Sequence, residues 1–329
     1  MMYLGIDLSK AYFDVTLQTA QGEKHSHHFD NDAAGCKALQ KWLKEQGVKE
    51  VHVCMEATNV YWEKVAQFLY DKGYQVSVVG GLLGAARIKG FAMSQLRRNK
   101  TDKQDSDVIV DFCRAIQPKL WTPPSAEVSQ LRAMVRLRAT LVKTVTQQQN
   151  RLGDGQDAES RACYQRLIDT LKGEIEQVEG RIEAHLAHHP HLQEQADLID
   201  SIQGLGPISA WTILAEMPDI ADYENAHAAA ADAGVNPSHH ESGDTIRRRP
   251  KLSKVGKASI RGVLHMPAIT AIRHNPVVKA LAERLASRGK PKNLIIAAAM
   301  RKLIHLVYGV LKNKRPFDPN YAASPLPAT

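Results

Sequence analysis

Tyr3–Leu8 reads YLGIDL, a short apolar run broken by one acid, Asp7. A carboxylate inside a strand of this kind is costly unless it is paired or holds a metal. On its C-terminal side, Phe13–Gln18 alternates as a second strand, and Lys24–Phe29 follows the Gln21-Gly22 turn as a third. Ala33–Gln46 has helical spacing through Leu39, Trp42 and Leu43. Val51–Met55 (VHVCM) is another buried strand, and it ends on a second acid, Glu56. Trp62–Lys72 reads as a helix closed by Gly73, and Gln75–Val79 as a fifth strand.

A further helix is expected to open near Thr101, inside LRRNKTDKQDSDV (Leu96–Val108). Thr101 or Asn99 is suited to cap it. Asp102 and Asp105, three residues apart, then share one face. Two carboxylates on one face repel unless a positive charge lies between them, and a hard divalent cation is the usual solution. Asp107 falls off that face, and Asp14 is expected to face solvent. Three strands, helix, strand, helix, strand and helix is the order of the ribonuclease-H-like fold, to which the Holliday-junction resolvase RuvC belongs. In that order Asp7, Glu56, Asp102 and Asp105 converge, a set able to hold one or two Mg²⁺ ions against a phosphodiester. Arg97, Arg98 and Lys100 precede the acids, and the stretch from Gly80 to Lys103 is read as a loop and short helix offering phosphate contacts.

The totals fit this chemistry. The chain has 329 residues, enough for two or three domains. Its net charge is +8, and the excess is local: residues 245–315 contain 18 Lys/Arg and one acid, Glu283. So one-sided a block suggests a polyanion, because phosphate neutralisation with counterion release drives nucleic-acid binding. Cys36, Cys54, Cys113 and Cys163 form no CxxC pair, so neither a zinc knuckle nor a disulfide frame is supported, and a reducing compartment fits best. The N-terminus lacks the pattern of a signal peptide, and no apolar run approaches a membrane span. A cytoplasmic protein is expected.

After Pro123-Pro124 the chain becomes purely helical. Val128, Leu131, Val135, Arg138, Val142, Val145, Gln149 and Leu152 follow 3-4 spacing, GDGQDAES interrupts, and a second seam runs through Tyr164, Ile168, Leu171, Ile175, Val178 and Ile182. Two such helices predict an antiparallel coiled-coil hairpin, for joining subunits or clamping nucleic acid. Ile199–Glu216 places Gly204-Leu205-Gly206 between two apolar helices, a helix-hairpin-helix-like pattern. Asn236-Pro237-Ser238 and Ser242-Gly243 are turn chemistry, so Ser242 is expected on an exposed loop. Arg247, Arg248, Arg249, Lys251, Lys254, Lys257 and Arg261 follow at once as candidate nucleic-acid contacts. Spacing leaves Ser242 open as phosphate ligand or nucleophile, since no Ser–His–Asp set is evident. The expected organisation is therefore an α/β domain over 1–122, the hairpin over 123–190 and a mostly helical basic domain over 191–329.

Several blocks together resemble the DEDD serine transposases of bacterial insertion sequences, a family that includes Piv-like invertases and bridge-RNA-guided recombinases. They are GIDLSK (Gly5–Lys10), MEATNVY (Met55–Tyr61), NKTDKQDS (Asn99–Ser106), IQGLGPISA (Ile202–Ala210), AGVNPSHHESG (Ala233–Gly243), LSKVGKASIRGVL (Leu252–Leu264) and MRKLIHLVYGVLK (Met300–Lys312). Ser106 departs from the pattern, where alanine is usual. The resemblance implies an N-terminal RuvC-like domain with a metal set on Asp7, Glu56, Asp102 and Asp105, holding Mg²⁺. It implies a C-terminal transposase domain whose nucleophile is Ser242, which would form a covalent phosphoserine link to DNA. It also implies target and donor DNA, a non-coding bridge RNA that pairs with both, a homodimer assembling to a homotetramer, no membrane, and a bacterial, nucleoid-associated setting. Two other readings stand beside it. One is a RuvC-like, structure-specific nuclease using metal-activated water; the other is a nucleic-acid-binding scaffold with a degenerate metal site.

Overall fold

The computed structural model describes residues 1–57, 60–95, 102–154, 157–242, 246–253 and 255–320, with backbone alone for 81–86, 102–104, 239–242 and 246–250. The chain divides into two compact units, Met1–Pro123 and Pro124–Thr329.

In the first unit the strands are β1 (Met2–Leu8), β2 (Tyr12–Gln18), β3 (Lys24–Asp30), β4 (Val51–Glu56) and β5 (Gln75–Val79). Between and after them run α1 (Ala33–Glu45), α2 (Glu63–Asp71), α3 (Gly81–Ser94) and α4 (Asp102–Ile116). They form one sheet in the order β3-β2-β1-β4-β5. β1, β2 and β3 pair antiparallel, as directly connected strands do, while β4 and β5 join β1 in parallel through helical crossovers. Apolar residues on both faces make β1 and β4 central: Leu4 and Ile6 pack towards α1 and α2 with Val53 and Met55, and Cys54 packs with Ile109, Phe112 and Cys113 of α4. Asp32 caps α1 by accepting the Gly35 N–H at 2.7 Å. The stretch from Gly80, expected to be loop with a short helix, instead holds the 14-residue α3: Gly81–Ser94 contains no proline, and Gly80, in extended form, precedes its first turn.

Gly5 admits α4 against the sheet. A Cβ there would stand 2.3 Å from the Ser106 carbonyl and 2.4 Å from the Val110 nitrogen, both backbone atoms that cannot rotate away. Gly5→Ala is therefore expected to destabilise the first unit by about 3 kcal/mol, the upper range for an overpacked core. Urea unfolding of the full chain checks this: the transition of the first unit should move to lower urea while that of the second stays in place.

The second unit starts with α5 (Ala126–Gly153) and α6 (Ala158–His188), capped by Ser125 and Asp157 and packed antiparallel. Arg138 meets Glu179 across them at 2.7 Å, and the His185 ring nitrogen lies 2.9 Å from the Glu127 carbonyl. Val128, Leu131, Val135, Ile168, Val178 and Ile182 are buried as spaced, but Gln148, not Gln149, enters the seam, and Val142 stays 38% exposed. Next come α7 (Pro190–Asp200), α8 (Pro207–Glu216), a 3-10 turn (Ile220–Asp222), α9 (Ala226–Asp232), the ribbon β6 (Pro237–Ser242) and β7 (Ile246–Leu252), then α10 (Ala258–His274), α11 (Pro276–Ser287) and α12 (Lys292–Asn313). The base of the hairpin shares one core with these helices: Leu131, Val178 and Ile182 belong with Trp211, Leu264 and Leu303. α12 is long and apolar enough to cross a membrane, yet Met300, Leu303, Ile304, Val307 and Leu311 are buried against α7, α9, α10 and α11.

Burial pushes the His305 imidazole of α12 from its ordinary 6.5 down to about 4, and the charges of Arg301, His227 and Lys302 act in the same direction. Between those values the unfolded chain binds a proton that the folded chain does not, so this contribution to stability is whole above pH 6.5 and is lost as pH falls towards 4. The second unit's melting temperature should drop over that window. His305→Phe should flatten the drop in the same melting series.

Candidate active site

β1 and β4 carry the two expected strand acids to the same end and face of the sheet. Gly5 and Cys54 are register partners beneath α4, and Asp7 and Glu56 lie two residues further along their strands. The period of two keeps both on the α4 face. α4 runs opposite to β1: Gln117 near its end bonds the Tyr3 hydroxyl, while Ser106 and Val110 cover Gly5. Its first turn, with Asp102 and Asp105, thus lies towards the Asp7 end. Asp7, Glu56 and Asp105 are all half-buried. Ser106, fully buried, shares a 2.9 Å hydrogen bond with Thr16 of β2, and that hydroxyl lies 3.1 Å from Ser26 of β3. Ser106 is therefore a stitch between α4 and the sheet.

Asp107 turns away from the row, as its spacing predicts. With Asp111 it holds Lys24 of β3, at 2.6 and 2.8 Å. This bridge fixes the rotation of α4 from the side opposite to α3. Asp14, by contrast, does not face solvent. It is the direct register partner of Asp7 and of His28, its side chain is 18% exposed, and its carboxylate lies 3.0 Å from the His28 ring nitrogen. The row across the sheet is His28, Asp14, Asp7, Glu56. Asp14 was missed because alternation in an isolated strand does not say which face a covering helix will take; the pairing register does.

A hard divalent ion suits this donor set, which is carboxylate oxygen throughout. Among the described residues no group of three or more His, Cys, Asp or Glu side chains stands close enough to hold a metal. The Asp102 side chain lies outside the described residues, as do Arg97, Arg98 and Lys100. The fit therefore rests on placement: acids on neighbouring strand ends, with the start of α4 above them.

In the second unit Ser242 is the last residue of β6, opposite Ile246, and not part of an irregular loop. Pro237, read as turn chemistry, opens the strand, a position where a missing N–H is tolerated. Glu241 stands opposite Arg247 and His240 opposite Arg248. The side chains of Ser242, Arg247, Arg248 and Arg249, and all of Lys254, lie outside the described residues. The ribbon's root is tightly built. Gly256 (φ +135°) and Gly234 (φ +70°) cross so closely that a Cβ on Gly256 would meet the Asp232 carbonyl at 2.3 Å. Lys257 donates to the Glu216 carbonyl at 2.6 Å and pairs with Asp232 at 3.1 Å; Asp232 also accepts from Tyr223 at 2.7 Å. Arg261 donates to the Gly256 carbonyl at 3.0 Å. These two cations, expected as nucleic-acid contacts, are engaged in anchoring the ribbon. Lys251 is exposed.

The glycine turn at 203–206 is also structural on one side. Gly204 (φ +106°) meets Ala271 of α10, whose Cβ would be 2.7 Å from any Cβ on residue 204. The Gln203 carbonyl accepts from Asn275 at 3.1 Å.

Comparison with known proteins covers both units. Residues 4–154 match the DEDD transposase model of the IS110 group, and residues 196–283 match the model described as Transposase IS116/IS110/IS902 family. The chain is 30% identical over 322 residues to the pilin gene-inverting protein of Moraxella bovis, covering 96% of this chain and 97% of that one. Its counterpart in Moraxella lacunata is similar to the same extent. A probable family 20 transposase of Pseudomonas aeruginosa is 22% identical over 364 residues, covering 96% and 98%.

Proposed function

The chain belongs to the IS116/IS110/IS902 family of transposases, enzymes that act on DNA, and from that premise we propose that it is a serine recombinase of an insertion sequence. The likeness to proteins named for inverting a gene extends over nearly the whole chain, which supports strand exchange with rejoining as the reaction. In this reading the first unit is a RuvC-like domain, the hairpin joins subunits into a dimer and tetramer, and the second unit carries the nucleophile.

The Ser242 hydroxyl attacks phosphorus. An O–P bond to serine forms, the bond to one deoxyribose oxygen breaks, and that oxygen leaves as a hydroxyl after taking up a proton. The phosphodiester energy is conserved in the protein–DNA link, so a second strand end can reverse the step without an external energy source.

Asp7, Glu56, Asp102 and Asp105 would hold Mg²⁺, which when bound supplies positive charge to the scissile phosphate. The observation that carries this assignment is the placement of Asp7 and Glu56 on neighbouring parallel strand ends, on the face that α4 covers. Asp14, held by His28, would lie at the edge of that set. The strand order β3-β2-β1-β4-β5 supports the ribonuclease-H-like assignment.

A non-coding RNA of the element would choose both DNA sites by base pairing. A plasmid recombination assay tests this. Protein alone should give no joined product, and protein with the element's RNA should give one; equal product without RNA would rule out an RNA guide.

A further inference from the structure

α11 is a short deck with basic ends. Arg273, in the last turn of α10, and Lys279 stand exposed at its start; Arg284, Arg288, Lys290 and Lys292 stand exposed at its end and on the turn into α12. Glu283 is the one acid among them. Among the described residues, none of these six cations lies within ion-pair distance of a carboxylate. Arg136 and Arg138 of the hairpin, by comparison, each meet a glutamate. Uncompensated like charge destabilises a compact surface through self-repulsion, and an anionic partner relieves it.

The deck is also rigid. Asn275, fully buried between α10 and α11, accepts the N–H groups of Val277 and Val278 and donates to the Gln203 carbonyl. Val278 and Ala282 fasten the other face of α11 into the core. Cations on a fixed platform lose less conformational freedom on binding. The 12 residues of α11 extend about 18 Å. A DNA duplex carries one charge per roughly 1.7 Å of axis, so about ten phosphates pass along that length and both ends of the deck reach some of them.

We propose that α11 with its two flanking turns is a docking surface for the phosphate backbone of duplex DNA, independent of sequence and separate from the Ser242 ribbon. This deepens the recombinase reading and rests on it. Charge complementarity fits any nucleic acid; the family's DNA substrate selects duplex DNA.

The test uses the full chain, without Mg²⁺, and a short DNA duplex of arbitrary sequence, with affinity followed by fluorescence anisotropy over a range of sodium chloride. The combined variant Arg284→Gln, Arg288→Gln, Lys290→Gln and Lys292→Gln should lower the salt slope by about 0.9 for each phosphate contact removed. Glu283→Gln should bind more tightly than the parent, a gain that misfolding cannot imitate. An unchanged slope together with unchanged Glu283→Gln affinity overturns the proposal. So does a loss confined to a matching RNA duplex, which would assign the deck to RNA. Failure of the recombinase reading looks different: no protein–DNA adduct would form, while duplex binding would still depend on the deck.

Discussion

Ser242→Ala should abolish covalent attachment of DNA, by a factor of at least about a thousand, because removal of a nucleophile leaves only binding and electrostatic contributions. Duplex binding should be unchanged. The substitution removes one oxygen at the end of β6 and leaves the root formed by Gly234, Gly256 and Lys257 intact. Melting temperature should therefore stay within a degree or two of the parent's, as for a one-atom truncation that leaves the packed root in place. If instead Ser242→Ala still cleaves its substrate at the parental rate, water is the nucleophile and the nuclease reading takes over.

Asp7→Asn has the second large effect. It removes one charge from the row Asp14, Asp7, Glu56 while keeping the side chain's shape, so adduct formation should fall by roughly a hundred- to a thousandfold, the range for losing one electrostatic contributor. Added Mg²⁺ should raise the melting temperature of the parent, as any ligand that binds only the folded state does, and leave that of Asp7→Asn nearly fixed. A scaffold with a degenerate metal site predicts no Mg²⁺ shift for either protein.

The first unit was legible in the sequence almost element by element. Its strands announce themselves by apolar alternation, and acids at Asp7 and Glu56 are conspicuous because apolar strands seldom carry them. Asp14 was not legible: its face depends on which side α4 covers, a tertiary fact. α3 was hidden by glycines that look like breaks in sequence, although Gly84 and Gly90 lie within a helix. In the second unit the basic block was evident, but not how its members are used. Lys257 and Arg261 lie in the same run as Lys251, yet the first two are turned inwards by Asp232, Glu216 and the Gly256 carbonyl. Charge counts along a chain do not distinguish a cation that anchors a ribbon from one that faces a phosphate. Pro237 misled for a simpler reason: an edge strand tolerates at its first position a residue that would stop a central one.

Covalent joining of Ser242 to DNA is read most directly by mass mapping of the adduct. Protein, the element's RNA, Mg²⁺ and junction DNA would be combined, denatured and digested with nuclease and protease, and the peptide carrying the residual phosphate sequenced by mass spectrometry. The peptide spanning β6 contains Ser238 as well, whose hydroxyl is already donated to the Lys251 carbonyl at 3.1 Å. Phosphate is expected on Ser242 and none on Ser238. Phosphate on another residue, or cleaved DNA with no modified peptide, would contradict it.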